Sequence, residues 1–428
     1  MSVTDSVSYS PLPQAIKANS YKATNKPISG AEFSPGSTLR IDLPVTANAV
    51  INGQQSYLKF RLRNKNAAAD QALALDGHAS SLIAKVEVWS SQGGNLLESI
   101  ENYNRLYALL MDIQMGSSQS QTGQSGVAEG CDQHASNNVV RTGYNLDSAA
   151  GATTTKVLCC PILSSLVGSL QKRYFPIGSL NSPLRLEITL ASAAEGCVAQ
   201  AAGETDWDID SVSYETEMIQ MDNATYNAVV QAGVAGDGML RVPCESYRHY
   251  QSVVENGASN VSVLLPMKFR SLKTILCFFQ KVAVASDDDG LSVSQRDRAD
   301  YSSHQFRIGS RMIPAVKCEG IEQVMTELNR AFHQLGDISV GSRITYTNFN
   351  LTDAAAAVEG TFCVAQELES FANADDRLSG LGIDSRAETI FFEPTLDTSP
   401  AQMDLHAYGH FDCEVVVDPS SGEAHTEF

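Results

Sequence analysis

The residues best suited to chemistry are two histidines, His406 and His410, which lie four positions apart in a segment where apolar and polar residues alternate. Imidazole nitrogens bind metals and can act as general bases near neutral pH. On a strand, which rises roughly 3.3 Å per residue, the two rings would stand about 13 Å apart. One metal ion binds each nitrogen at about 2 Å, so the spacing favours a solvated or interface strand face over a metal site.

Two clusters of charged residues could bind ions. An Asp-Asp-Asp-Gly run at 287–290 suggests calcium, but its acids are consecutive, whereas an EF-hand loop spaces them alternately and adds a later Glu. An exposed acidic turn is therefore favoured. Lys59, Arg61 and Arg63 form a basic stripe on one face of a predicted strand. Exposure to solvent, or salt bridges to another subunit, would explain this stripe better than binding of a phosphate.

The sequence contains none of the motifs GxGxxG, GxxxxGK[ST], HExxH and GxSxG, which mark common phosphate, zinc and acyl-transfer sites. Its nine cysteines include no CxxC pair, and they suit buried, reduced thiols better than disulfides or a zinc site. We therefore predict that the protein is not an enzyme and that it has no catalytic residues, no cofactor and no metal site.

Charge, apolar runs and the N-terminal sequence argue against a nucleic-acid-binding, a membrane-spanning and a secreted protein. The 30 Lys and Arg residues are outnumbered by 49 Asp and Glu residues, which leaves a net charge of −19, so we expect no strong direct binding of nucleic acid. No apolar run reaches the 18 residues of a membrane span. The N-terminal sequence MSVTDSVSYSPLPQ lacks the features of a secretory signal, so we expect a reducing compartment.

Alternation of apolar and polar residues predicts β-strands through most of the chain. It is clearest at these positions: 39–45, 58–62, 82–89, 185–190, 261–265 and 405–417. In the last of these, His406, Tyr408 and His410 are expected on the face opposite the apolar one. The segment SLKTILCFF at 271–279 is apolar on both faces and must be covered on both sides. We therefore expect the two halves of the chain to meet through a large apolar interface.

Apolar residues three or four positions apart predict helices at 96–112 and 320–335. The polar stretch at 114–155 predicts a long exposed loop. The domain prediction that follows has four parts: an extended N-terminal arm at 1–30, a first β domain at 31–221, a linker with a short helix at 222–238, and a second β domain at 239–428.

The segments 52–64 and 75–112 resemble the first half of double jelly-roll major capsid proteins of polinton-like viruses and virophages. The family pattern there is a strand with a Tyr-Leu-x-Phe core, a turn of small residues, a second strand and a helix that carries a Glu-x-Tyr-Asn sequence. The matching residues are Tyr57, Leu58, Phe60, Glu101, Tyr103 and Asn104. Further likeness lies, in the family's order, in these segments: 183–190, 269–279, 304–314 and 405–417.

The resemblance implies an all-β fold of two tandem eight-stranded antiparallel jelly rolls with short inserted helices. It also implies a major capsid protein whose pseudo-hexagonal homotrimers build the icosahedral shell of a DNA virus. Its location would be the virion, after assembly in the host cytoplasm or nucleus. Its partners would be other copies of itself, neighbouring capsomers, and penton and minor or cement capsid proteins. The basic N-terminal arm is expected to tie capsomers together or to meet a minor protein.

Jelly rolls also host lectins, so a carbohydrate-binding or surface-attachment protein is the alternative. Sugar binding would need exposed aromatic residues near loop tips, and the predicted loops, rich in Ser, Gly and Ala, contain almost none.

Overall fold

The computed structural model describes these residues: 17–66, 73–76, 78–90, 94–114, 155–199, 206–234, 236, 238–281, 292–336, 342, 344–351, 360–370, 379–382, 388–397 and 402–428. The acidic run at 287–290, almost all of the predicted loop at 114–155 and Cys131 lie outside them.

Strands dominate the described ranges. Those of the first half are β1 (Ala18–Asn25), β2 (Glu32–Phe33), β3 (Thr38–Leu43), β4 (Ala49–Asn64), β5 (Leu73–Leu75), β6 (Ile83–Ser90), β7 (Asn95–Glu101), β8 (Thr155–Cys160), β9 (Leu184–Leu190), β10 (Cys197–Ala199) and β11 (Trp207–Met221). Those of the second half are β12 (Leu240–Val254), β13 (Val263–Leu265), β14 (Leu272–Lys281), β15 (Tyr301–Ile308), β16 (Arg311–Glu319), β17 (Val364–Glu367), β18 (Ile390–Leu396), β19 (Met403–Val417) and β20 (Ala424–Glu427).

The helices among the described residues are short and lie between strands. They are α1 (Tyr103–Gln114), α2 (Ala193–Gly196), α3 (Asn223–Gly233), α4 (Ile321–Ala331) and α5 (Tyr346–Phe349), with 3₁₀ turns at Ala79–Leu82 and Ile177–Ser179. Helix α1, which follows β7, and helix α4, which follows β16, hold equivalent places in the two halves.

The first half is a jelly roll of eight principal strands. One sheet has the order β1-β11-β4-β8, with β2 added beside β11, and the other has the order β3-β9-β6-β7. All of these pairs are antiparallel. The first and last of the eight strands pair in one sheet and the second and seventh pair in the other, which is the double Greek-key wrapping of a jelly roll.

The second half repeats this arrangement. One sheet has the order β12-β19-β14-β17, with β20 beside β19, and the other has the order β13-β18-β15-β16. The pairs are again antiparallel. The prediction of two tandem eight-stranded jelly rolls is therefore confirmed.

Strand β9 illustrates how the sequence specifies these sheets. Its even-numbered residues, from Leu184 to Leu190, are buried, and the residues between them are half-buried. Side chains alternate between the two faces of a strand, so the apolar set packs into the core. The outer face carries cross-strand ion pairs such as Arg40 with Glu187 at 3.2 Å, each worth up to about 1 kcal/mol.

The prediction of an extended N-terminal arm at 1–30 is wrong over residues 18–25, and residues 1–16 lie outside the described ranges. Residues 18–25 form β1, which pairs with β11 from Ala18 opposite Met221 to Asn25 opposite Tyr214. β1 is therefore the first strand of the first roll. The sequence pattern did not predict β1, because its side chains are mostly exposed. An edge strand with polar residues on its outer face shows little alternation of apolar and polar residues.

The helix predicted at 96–112 is wrong over its first part. Residues 95–101 form β7, and α1 begins only at Tyr103. The register between β6 and β7 shifts near Val88, so that the neighbours Leu97 and Glu98 are both buried. This irregularity gives the apolar residues of a strand the three-residue spacing that is typical of a helix.

Strand β19 is buried on both faces. His406 and Tyr408, expected on a polar face, are only 2% and 0% exposed. The first half contributes to covering Tyr408, whose Oη donates a hydrogen bond to the Asn102 carbonyl at 2.9 Å, while His406 lies against His249 and Phe278 of the second half.

The segment predicted as a linker contains α3, which begins after Asp222. The Asp222 side chain accepts a hydrogen bond from the Thr225 amide and caps the helix. The domain division at 222–238, in the sense of two separately folding units, stays a prediction.

Candidate functional site

The two histidines lie in different surroundings. His406 Nδ1 is 2.9 Å from His249 Nε2, and His249 Nδ1 is 3.0 Å from Asn102 Nδ2. Burial lowers the pKa of His249 to about 4 and that of His406 well below its ordinary value, so both rings are neutral at pH 7. His410 instead stacks on Tyr247 with ring centroids 4.4 Å apart. The histidines therefore serve packing and hydrogen bonding inside the chain.

Two of the three cations of the basic stripe are paired with acids within their own sheet. Arg61 binds both carboxylate oxygens of Asp210 at 2.6 and 2.7 Å, and Arg63 binds both of Asp208 at 2.6 Å. The hydrogen bond from Arg61 also lowers the pKa of Asp210. The expected contact with solvent holds in part, since the two side chains are 43% and 27% exposed. Their salt bridges, however, lie within the chain, because the partner acids come from the neighbouring strand β11. Two-pronged pairing of this kind occupies the donors that a phosphate would need.

A cluster of paired charges borders a cavity of about 270 Å³ that both halves line. Glu245 Oε2 lies 3.0 Å from Lys172 Nζ, 3.2 Å from Lys273 Nζ and 3.5 Å from His410 Nε2. Burial opposes ionisation, but these neighbours hold the pKa of Glu245 far below its ordinary value. An ionised carboxylate of such low basicity is a poor general base. Since Lys172 belongs to the first half and Glu245 to the second, the cluster links the two rolls.

Among the described residues, one group has metal-ligand geometry: His333, Glu367 and Glu369, whose ligand atoms lie within 4.8 Å of one another. Its carboxylates already have cationic partners, because Arg330 lies 3.1 Å from Glu367 and Lys273 lies 2.9 Å from Glu369. A metal ion would have to compete with both. The group is better suited to ion pairing, and the prediction of no catalytic or metal-binding residues stays a prediction.

Helix α1 makes two of the polar contacts between the two rolls. Ten of its twelve residues are buried, and both of its charged side chains contact the second half, while Arg105 also pairs with Glu195 of the first half at 3.0 Å. Arg105 Nε donates to Gln280 Oε1 at 2.9 Å, and Asp112 Oδ2 lies 2.5 Å from Arg296 Nη2. Sequence reasoning missed both pairs. The available signal was that Arg105 and Asp112 are the only charges in an otherwise apolar helix, which indicates burial on nearly all sides.

Asp76 makes a further polar contact across the same junction. Asp76, in the first half, accepts hydrogen bonds of 2.6 Å from the Val293 amide and from Ser294 Oγ. Strand β14 is buried on both faces apart from its half-buried lysines, as its sequence predicted. The sequence predicted a large apolar interface between the halves, from the apolar strand at 271–279. The interface contains more buried polar groups than this prediction indicated.

Glu98 is a buried carboxyl at this junction, 6% exposed. It accepts hydrogen bonds from Ser164 Oγ and the Ser165 amide of the first roll and from Ser246 Oγ of the second, the last at 3.1 Å. Burial outweighs these hydrogen bonds and raises the pKa of Glu98 to about 7. Its ionisation near neutral pH therefore places a charge between the rolls.

An apolar groove of about 490 Å³ lies between α3 and β12. We call it the α3 groove; residues that line it include Val50, Tyr174, Pro176, Met221, Tyr226 and Val229. Tyr174 and Val229 are 52% and 51% exposed. Apolar surface left open in this way is typical of a binding surface for another polypeptide segment.

Of the residues that carry the resemblance to capsid proteins, Leu58, Phe60, Tyr103 and Asn104 are buried, whereas Tyr57 is half-buried and Glu101 is exposed. The Oη of Tyr103 accepts a hydrogen bond from the Leu163 amide at 2.8 Å. In the part of the chain that the structure describes, no helix is long and apolar enough to cross a membrane.

The sequence matches no protein-family profile and no curated protein. Solved structures do match. VP54 of PBCV-1, fitted into a reconstruction of the virophage Sputnik, has a TM-score of 0.66 at 10% identity, covering 98% of this chain and 99% of that chain. The Faustovirus major capsid protein has a TM-score of 0.64 at 8% identity, covering 96% and 92%. The mavirus major capsid protein has a TM-score of 0.59 at 11% identity, covering 100% and 93%. The likeness spans both rolls, so the chain has the double jelly-roll fold that these viral major capsid proteins share.

Proposed function

We propose that this chain is a viral major capsid protein. The observation that carries the proposal is the likeness to capsid proteins over the whole chain, with both rolls and their connection included. A jelly roll alone would not support it, because single jelly rolls serve many functions.

The junction between the rolls supports a structural role. Buried polar contacts through Arg105, Asp112 and Glu98 join the halves. Two rolls held in this way form one building block with a fixed angle, which is what a regular shell requires of its subunit. The charged clusters described above are internally paired, which supports a protein that is not an enzyme.

We propose further that three copies form a homotrimer with a pseudo-hexagonal outline, since each copy supplies two similar rolls. Such capsomers would build an icosahedral shell around a DNA genome in the virion, assembled in the host cytoplasm or nucleus. Penton and minor or cement proteins would complete the shell. The net charge of −19 supports a shell that does not bind its genome directly.

The test is imaging and mass measurement of the purified full-length chain. We expect particles of three times the chain mass with a hexagonal silhouette. A stable monomer would contradict the proposal.

A glycan-binding assay on the same preparation tests the alternative of a carbohydrate-binding protein. The fold offers it little support, since Trp207 is fully buried and Trp89 is half-buried. We expect no saturable binding, and glycan binding by a monomer would favour the alternative.

A further inference from the structure

The α3 groove has walls that suit a proline-rich segment. Tyr174, Pro176, Tyr226 and Pro243 line it together with aliphatic side chains and with Arg173 and Arg241. Grooves lined by aromatic residues bind proline-rich chains in the polyproline II conformation. The volume of about 490 Å³ lies within the range of sites that bury a ligand.

The chain itself enters the described structure at the edge of this groove. The carbonyl of Lys17 accepts a hydrogen bond of 3.3 Å from the amide of Asp222, the residue that caps α3. The next residue, Ala18, pairs with Met221, which lines the groove. The chain segment 1–16 is therefore attached to the described structure at a point beside the groove.

The composition of residues 1–16, MSVTDSVSYSPLPQAI, is complementary to the groove. Pro11 and Pro13 flank Leu12, Tyr9 precedes them, and Asp5 is the only charged side chain. Proline restricts φ to about −65°, so this part of the segment loses less conformational entropy on binding than an ordinary chain does.

We propose that residues 1–16 bind in the α3 groove of their own subunit, with Leu12 and the adjacent prolines against Tyr174 and Val229. The five residue-to-residue steps from Leu12 to Lys17 span up to about 17 Å when extended, and α3, with its 11 residues, is about 16 Å long. Leu12 can therefore reach any point along the groove. A short tether gives an effective concentration on the order of millimolar, so weak contacts suffice. The proposal does not depend on a capsid function.

The test uses the full-length chain with the photo-crosslinking residue p-benzoylphenylalanine in place of Tyr9 or of Leu12. After irradiation, mass spectrometry locates the adducts. A mixture of chains labelled with ¹⁴N and ¹⁵N distinguishes adducts within a chain from adducts between chains. We expect adducts within one chain at Tyr174, Met221 or Val229. Adducts only elsewhere, adducts only between chains, or no adduct from either position would overturn the proposal.

A pair of variants on the same helix provides the control. Val229→Glu places a charge in the groove, and Gln231→Glu places the same charge on an exposed residue of α3 that does not line it. We expect Val229→Glu to reduce the adducts and to accelerate chymotrypsin cleavage after Tyr9 about tenfold, the effect of ~1.4 kcal/mol. Gln231→Glu should match the parent protein. Equal behaviour of the two variants would overturn the proposal.

Discussion

Arg296 of the second roll and Asp112 of the first form an ion pair of 2.5 Å across 184 positions of sequence, with side chains only 1% and 2% exposed. Removing one member of a buried ion pair leaves the other charge without compensation, which is far more costly than losing an exposed pair. The junction between the rolls therefore depends on charges that cannot be removed singly.

Asp112→Asn keeps the shape of the side chain and removes its charge. We expect the free energy of unfolding to fall by about 3 kcal/mol or more, measured by urea denaturation. The matched control is Arg40→Gln at the more exposed pair of Arg40 with Glu187, where we expect a loss below about 1 kcal/mol. Equal losses in the two variants would show that the Asp112 charge does not stabilise the junction.

The second roll should not fold by itself. A fragment of residues 238–428 lacks Asp112 as partner of Arg296 and lacks α1, whose Arg105 contacts Gln280. We expect the fragment to aggregate or to remain poorly ordered, judged by soluble yield and by thermal melting. A soluble fragment that melts cooperatively would contradict this.

Glu98 should make stability depend on pH. Its pKa in the folded chain is about 7, against about 4.3 in an unfolded chain. Between these values the folded state holds a proton that the unfolded state has lost, so the stability from this carboxyl is complete below about pH 4.3 and is lost as pH rises through 7.

Glu98→Gln removes this titration. Between pH 5 and pH 8, the free energy of unfolding of the variant should rise by roughly 3 kcal/mol relative to that of the wild type. Buried histidines such as His249 titrate in both proteins and cancel in the difference. Denaturation curves at several pH values measure it, and a difference that is constant with pH would rule out the predicted shift.

Cysteine reactivity should follow burial. Eight of the nine cysteines are described and free, and seven of these are buried, whereas Cys159 is half-buried. Burial raises the pKa of Cys160 and of Cys363 to about 12, which suppresses the reactive thiolate. We expect maleimide to label Cys159 first among the eight in the native protein, by peptide mass spectrometry. Without denaturant, faster labelling of Cys160 would contradict this, while denatured protein without reductant should show nine thiols.

Two N-terminal deletions separate the arm from the first roll. Deletion of residues 2–16 leaves β1 complete, so the oligomeric state should be unchanged, and the thermal melting temperature should fall only by the small amount that binding in the α3 groove contributes. Deletion of residues 2–28 removes β1 and exposes the edge of β11 to which it pairs, so we expect aggregation or a much lower melting temperature. If both deletions behave alike, β1 is not an integral strand of the roll.

Alternation was sufficient to predict strands such as β9, because burial there affects one face only. It failed for β19, where His406 and Tyr408 are covered by residues more than 150 positions away in sequence. A polar residue looks the same in a sequence whether solvent or another domain lies above it, so the buried face of β19 could not be predicted.

The polar residues of the junction were missed for the same reason. Asp112, Glu98 and Arg296 would each suit an exposed surface, and their burial depends on partners from the other half. The strand-rich organisation in two similar halves was predictable, because it depends on local patterns repeated along the chain, whereas the order of strands in the sheets came from the resemblance to capsid proteins. The contacts that join the halves depend on tertiary packing, which no local pattern encodes.

Strand β20 has a consequence for synthesis of the protein. It contacts β7 of the first roll: Asn95 Nδ2 donates to the Ala424 carbonyl, and Thr426 Oγ1 donates to the Leu97 carbonyl, each across 329 positions. During translation at about 5–20 residues per second, β7 is made first and then waits tens of seconds before β20 leaves the ribosome. A chain whose translation ends before β20 cannot form these contacts with β7. Part of the first roll then stays uncovered and accessible to chaperones and proteases.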